Sequence, residues 1–386
     1  MDRISEFIRA NDIDGPCLVM DLDIVRSNFL AFRKAMPKSR VFYAVKANPE
    51  EALLALLADL GSNFDCASVA EIDVALAAGA APDRISYGNT IKKERDIGKA
   101  FSRGVRLFAV DSVPEVEKLA RAAPGSQVFC RILCEGHGAE WPLSRKFGCE
   151  PEMAVDVLRA AARLGLEAYG VSFHVGSQQT NVDAWDDALA SVAGVFKACS
   201  RHGIELSMVN LGGGFPTEYL RKIPSVQNFG TAIERALRRH FGKKLPETII
   251  EPGRGMVGNA GVIKAEVVLV SRKSSSDDVR WVYLDIGKFG GLAETIDESI
   301  RYRIRTAKDG NSTSPCIVAG PTCDSMDVLY EKYPYDLPNN LEIGDEIYIE
   351  GAGAYTTTYS SVAFNGFAPL TSLILEATPV EERIAA

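Results

Sequence analysis

Between residues 41 and 251 the chain alternates short apolar segments with longer stretches of helical spacing, eight times over. The segments fall near 41–45, 63–66, 84–87, 106–110, 127–133, 169–174, 207–211 and 247–251. Between them apolar residues return every three or four positions, most clearly at 51–60, 68–78, 151–164, 181–202 and 228–241. Eight strands alternating with helices predict an α/β chain built on a (β/α)8, TIM-like barrel. Such a barrel takes about 250 residues, so a chain of 386 holds one barrel and one smaller domain. After about Gly261 the rhythm changes. Val262–Val270, Trp281–Asp285, Cys316–Ala319, Glu346–Glu350 and Val362–Phe364 read as strands between Gly-, Ser- and Pro-rich turns, which predicts a mostly β second domain. The expected division is an N-terminal segment, 1–22, with a strand at Leu18–Leu22 that packs with the β domain. The barrel then spans 23–260, the β domain 261–376 and a polar tail 377–386.

Charge narrows the function classes. The formal charge is −8, and Lys and Arg form no basic stripe, which argues against a nucleic-acid partner. The first ten residues carry charge throughout, and no apolar run approaches the ~20 residues of a membrane span, so a cytoplasmic protein is expected. The eight cysteines (17, 66, 130, 134, 149, 199, 316, 323) follow no C-x-x-C spacing and the four histidines are dispersed, so reduced thiols and no metal site are expected.

In a parallel barrel the carboxyl ends of all strands share one face, where catalytic groups collect. The stretch Arg40–Asn48 ends its apolar run on Lys46, an amine that can form a Schiff base if it loses its proton. The second segment ends at Asp65-Cys66-Ala67-Ser68, with Glu71 one turn on, and the fifth near Arg131. The sixth ends at His174-Val175-Gly176-Ser177, the seventh at Gly212-Gly213-Gly214 and the eighth at Glu251-Pro252-Gly253-Arg254. Each has a plain structural reading: a snorkelling lysine, helix-capping acids, a core histidine, a tight glycine turn, a Glu–Arg pair. Their joint placement on one face is what those readings leave unexplained. A lysine, a glycine nest for an anion with an arginine beside it, a flat ring and a carboxylate together suit pyridoxal 5'-phosphate.

At these residues the sequence resembles the fold-type III, alanine-racemase-like decarboxylases, in the ornithine decarboxylase branch with its bacterial lysine/ornithine members. The matching segments are FYAVKAN (42–48), FDCAS (64–68), RKFG (145–148), SFHVGS (172–177), NLGGGFP (210–216), EPGR (251–254), GPTCDSMD (320–327), GAGAYT (351–356) and FNGF (364–367). The resemblance implies that Lys46 carries the cofactor, that His174 stacks on its ring and that Glu251 pairs with the ring nitrogen. Ser177, Gly213, Gly214, Arg254 and Tyr355 are implied in holding the phosphate, with Asp65, Glu71 and Arg131 around the lysine and cofactor. Cys323 is implied as the proton donor to the decarboxylated carbon and Asp324 as the receiver of the substrate's distal amine. In this family the other subunit supplies both, so the resemblance implies a homodimer, with Lys146 and Asp327 as an ion pair across the interface. Without the family, Cys323 reads as a buried thiol, Asp324 as a helix cap and Tyr355 as a strand aromatic.

The implied reaction is decarboxylation of ornithine, and possibly of lysine, to the diamine of polyamine synthesis. Glu251 separates this reading from the related racemases, which place arginine at the ring nitrogen. Cys323-Asp324, in place of the Cys-Glu-Ser of diaminopimelate decarboxylases, favours a substrate ending in an ammonium. At Ile296-Asp297-Glu298-Ser299, Glu298 is expected to be the second amine-binding acid, with Asp297 the alternative. The remaining alternatives are a diaminopimelate decarboxylase and, in another class, a non-catalytic binding homologue of the antizyme-inhibitor kind.

Overall fold

A computed structural model describes residues 2–11, 13–134, 139–141 and 146–379. Arg145 of the RKFG segment and the tail from 380 onward lie outside the described residues. The chain divides into two compact units. One is formed by Arg26–Pro216 and Ile223–Met256, the other by the described residues of Met1–Val25, Thr217–Lys222 and Val257–Ala386.

The first unit is a closed barrel of eight parallel strands. In chain order they are Ser39–Ala44, Asn63–Cys66, Ile85–Tyr87, Leu107–Val110, Gln127–Arg131, Glu167–Ser172, Met208–Asn210 and Glu247–Ile250. The eighth strand pairs with the first, Ile249 opposite Arg40, and closes the ring. Phe42, Leu107, Ala109, Phe129, Tyr169, Met208 and Ile249, from six of the strands, form one buried cluster, as the filled interior of such a barrel requires. Helices follow the strands, among them Glu51–Asp59, Val69–Ala77, Pro151–Arg163, Ala184–Ser200 and Val226–Phe241. Their ends are locally encoded: Ser68 accepts a hydrogen bond from Glu71 N at the head of Val69–Ala77, and Ser225 with Asn228 forms a capping box before Val226–Phe241.

Two strand ends differ from the sequence expectation. The first strand stops at Ala44, and Val45–Ala47 turn as a 3-10 helix in which Asn48 N donates to Val45 O. The sixth stops at Ser172, so His174 lies on the loop beyond it.

The second unit holds an eight-stranded sheet of Cys17–Asp21, Gly261–Ser271, Arg280–Leu284, Arg303–Thr306, Thr313–Ala319, Val328–Pro338, Glu346–Glu350 and Thr371–Leu375. Cys17–Asp21 runs antiparallel to Gly261–Ser271 and parallel to Thr371–Leu375. The expected strand at Val362–Phe364 is absent: Ala363 and Asn365 hold φ of +60° and +52°, which an extended strand cannot accommodate, and Phe364–Gly366 is a 3-10 turn. Val328–Pro338 is a strand the sequence hides, since its tyrosines and prolines show no clean alternation. It pairs antiparallel with Thr313–Ala319, and its buried hydroxyls add further bonds, with Tyr302 N donating to Tyr330 Oη and Ile304 N to Tyr335 Oη. No helix is capped by Asp324, because this strand follows it.

Candidate active site

The carboxyl ends of the barrel strands bring together six of the expected residues. Lys46 sits exposed on the 3-10 turn after the first strand. Asp65 is buried at the end of the second, its carboxylate accepting from Ser86 Oγ at 3.0 Å. Glu71, in the first turn of the helix that Ser68 caps, accepts from Ala67 N at 2.7 Å, and it also feels the charges of Asp65 and Lys46. Burial raises the Asp65 carboxyl, against the opposing pull of Lys46, Ser86 and Arg131. Burial likewise lifts Glu251 to about 7, with Asp65 adding to the rise and Asn210, Lys46 and Arg131 opposing it. Burial lowers Arg131, and the carboxylates of Glu251 and Asp65 oppose that. These charges act on one another only because the four loops meet.

His174 is part of the same cluster. Burial and the nearby charges of Arg131 and Lys46 hold its pKa well below the ordinary histidine value, so the ring is neutral at physiological pH. Its Nδ1 accepts a hydrogen bond from Gly176 N at 2.9 Å, which places the proton on Nε2 and fixes the ring plane.

Beside it lies a cradle. Arg254, buried, donates from Nη2 to Ser177 Oγ at 3.3 Å. Gly213 lies so close to the ring that a Cβ there would sit 3.4 Å from His174 Nε2 and 2.7 Å from Glu251 O. Gly214, at φ +98°, packs against the backbone of Gly176. The sequence reading overlooked Asn210, buried at the end of the seventh strand, whose side chain bonds to both Glu251 and Gly212 N. An asparagine just before a glycine run was its one visible signal.

An amine, a neutral imidazole, a carboxylate and an anion cradle therefore share one mouth, and a family model described as "Pyridoxal-dependent decarboxylase, pyridoxal binding domain" matches residues 22–258. The chain belongs to the pyridoxal-dependent decarboxylases. Its cofactor is pyridoxal 5'-phosphate, and it falls in the ornithine/lysine decarboxylase family of fold type III. The lysine/ornithine decarboxylase of Selenomonas ruminantium is 34% identical over 375 residues, covering 96% of this chain and 92% of that protein. Among solved structures, SrLDC in complex with PLP and cadaverine superposes with a TM-score of 0.87 at 32% identity, over 100% of this chain and 96% of the other. The lysine/ornithine decarboxylase of Vibrio vulnificus complexed with cadaverine gives 0.86 at 29% identity, over 97% and 98%.

The remaining expected residues of this decarboxylase belong to the second unit. Tyr355 sits at φ +57° in the GAGAYT turn, its ring 5.7 Å from that of Tyr359. An aromatic in the left-handed region is strained, and such strain concentrates at functional sites. Cys323 is exposed, in place of the buried thiol of the plain reading, and its N–H donates to Asn365 Oδ1 at 3.1 Å. Asp324 Oδ1 accepts from Met326 N at 2.8 Å.

Two more expected residues are bonded within their own unit. Glu298, the expected second amine-binding acid, has its carboxylate bonded within its own unit. It accepts from Glu331 N at 2.7 Å, Lys332 N at 2.6 Å and Arg301 Nη1 at 2.6 Å, and its side chain is 6% exposed. Asp297 has the open carboxylate of the two, 79% exposed and 3.1 Å from Lys332 Nζ. Asp327, expected to pair with Lys146, is buried and accepts from Lys288 N at 2.7 Å, Thr322 N at 3.1 Å and Thr322 Oγ1 at 2.7 Å. Its work within this unit is to tie the 287–288 and 320–322 loops together, just before Cys323. Lys146 is exposed, its Nζ 4.8 Å from the centroid of the Phe147 ring.

Among the described residues no group of three or more His, Cys, Asp or Glu is placed to hold a metal ion, and no helix is long and apolar enough to cross a membrane.

Proposed function

We propose that this chain decarboxylates L-ornithine and L-lysine to the corresponding diamines, with Lys46 holding the cofactor. The carrying observation is the mutual charge coupling of Lys46, Asp65, Arg131, His174 and Glu251 beside the Ser177–Arg254 cradle. The residues fit the group. Arg254 and Ser177 supply polar groups for an anion, and the glycine turn brings bare backbone up beside the imidazole.

When bound, pyridoxal 5'-phosphate accepts the electron pair left as the substrate loses carbon dioxide. Lys46 Nζ is the amine that would hold the cofactor. Ser177, Arg254, Tyr355 and the backbone N–H groups at Gly213 and Gly214 are the anion-binding groups for its phosphate. The neutral His174 ring offers a flat face without competing for a proton. Glu251 would hold the ring nitrogen, and a carboxylate there would favour its protonated form. Asp65, Glu71 and Arg131 set the field around Lys46. Cys323 returns a proton to the substrate carbon. Asp324, with Asp297 as the second, open acid, would take the distal ammonium. The relatives named for lysine/ornithine decarboxylation, and the solved relatives holding cadaverine, support this substrate class.

The second unit exposes Met326 (64%), Tyr333 (69%) and Val362 (83%), apolar surface that supports burial against a second copy of the chain. The proposed working form is a homodimer that shares Cys323 and Asp324 across subunits.

Carbon dioxide release on ornithine, lysine, arginine and meso-diaminopimelate tests the substrate reading, with turnover expected on the first two. Turnover of diaminopimelate alone would refute the amine pocket. The purified protein should show a visible absorption band that Lys46→Ala abolishes. A colourless wild type that ignores added cofactor would favour a non-catalytic binding protein instead.

A further inference from the structure

Three hydrogen bonds close a ring at the junction of the seventh and eighth barrel strands. Gly212 N donates to Asn210 Oδ1 at 2.9 Å, Asn210 Nδ2 donates to Glu251 Oε1, and Glu251 N donates to Gly212 O at 2.9 Å. The orientation of the amide is forced. A backbone N–H can only donate, so the side-chain oxygen must face Gly212 and the NH2 group is left for the carboxylate. Asn210 is 1% exposed, so neither bond competes with bulk water.

We propose that Asn210 is a positioning residue of the cofactor site, clamping the Glu251 carboxylate and the glycine turn to each other so that the acceptor for the ring nitrogen and the cradle for the phosphate stay in register. A cofactor bound at both ends needs that spacing fixed, because an error at one end is passed to the other. The ring also has a protonation sense. An NH2 donor stabilises the charged carboxylate, in the same direction as the neighbouring cations Lys46 and Arg131 and against burial and Asp65. Replacing the amide with a carboxyl of the same shape keeps the acceptor for Gly212 and sets an acid against an acid, which binds well only while the pair shares a proton.

The inference rests on Glu251 being the cofactor's carboxylate. Equilibrium dialysis of the holoenzyme gives the cofactor Kd, and the visible band gives a second readout, for wild type, Asn210→Asp and Asn210→Ala at about pH 6 and about pH 8.5. Asn210→Asp should hold cofactor within about threefold of wild type at the lower pH and lose about tenfold or more at the higher. Asn210→Ala should weaken binding by about tenfold at both. In a Glu251→Gln background the pH-dependent loss from Asn210→Asp should vanish, since one of the two acids is gone. Wild-type affinity at both pH values in the Asp variant would overturn the proposal, as would an equal loss at both or a loss that persists beside Gln. So would unfolding of the isosteric Asp variant at the lower pH, seen by circular dichroism, because the amide would then serve the fold. Glu251→Gln alone with unchanged Kd and band would refute the Glu251 reading itself, on a measurement separate from the Asn210 series.

Discussion

Single side chains in the barrel mouth do two jobs at once, and pH separates the jobs. Glu251 is lifted to about 7 in the folded protein from an ordinary 4.5. A carboxyl raised on folding stabilises the fold while it is protonated in both states, and that contribution fades as pH climbs from 4.5 through 7. Glu251→Gln should therefore melt above wild type in the cofactor-free protein at about pH 8, with the gap closing toward about pH 4.5. A melting-temperature series in both proteins checks this, and a constant gap contradicts it. His174, neutral throughout, should contribute no limb to the pH–rate profile above about pH 6. At this scale the sequence revealed residue types better than their bonds. Lys46, His174 and Arg254 were readable because an amine, an imidazole and a guanidinium at strand ends are unusual in combination. The distant bonds of Asn210 and Glu298 were not, because Glu251 lies 41 residues from the one and the 331–332 backbone more than 30 from the other.

Elements set the tolerances of the site. The turn after the seventh strand approaches His174 and Glu251 so closely that Gly213→Ala should weaken cofactor binding by about tenfold or more, while the melting temperature falls only a few degrees. Cofactor titration beside a thermal melt distinguishes this from general unfolding, and unchanged affinity would show that the turn has room to give. The eight barrel strands were legible since each is a short apolar run between helical patterns. Their ends were less so: the 3-10 turn that lifts Lys46 out of the first strand is set by the Asn48–Val45 backbone bond and by Tyr43 Oη donating to Asn48 O at 2.8 Å. Neither has a composition signature. In the second unit Val328–Pro338 escaped detection because its tyrosines and prolines break the alternation, while its pairing with Thr313–Ala319 and its tyrosine hydroxyls bonded to backbone some 28 to 33 residues away are tertiary.

For the whole molecule, the decisive question is where one active site ends and the next begins. If Cys323 comes from a second copy, mixing Lys46→Ala with Cys323→Ala protein should restore about a quarter of wild-type turnover, since half the dimers are mixed and each of those keeps one intact site. Each variant alone should be nearly inactive, with Cys323→Ala still binding cofactor. A mixture as inactive as its parts would place each site within one chain. The family was legible because its motifs keep their order along almost the full sequence, whereas the subunit arrangement was implied by resemblance alone.

Closure of the barrel by pairing Ile249 with Arg40 also governs when the site can exist during synthesis. The lysine leaves the ribosome some two hundred residues before the glutamate that faces it, so a nascent chain has no place to capture the coenzyme until the last barrel strand has emerged. Loading is then a late event, and chains stalled before Glu247 should emerge colourless even when pyridoxal 5'-phosphate is abundant.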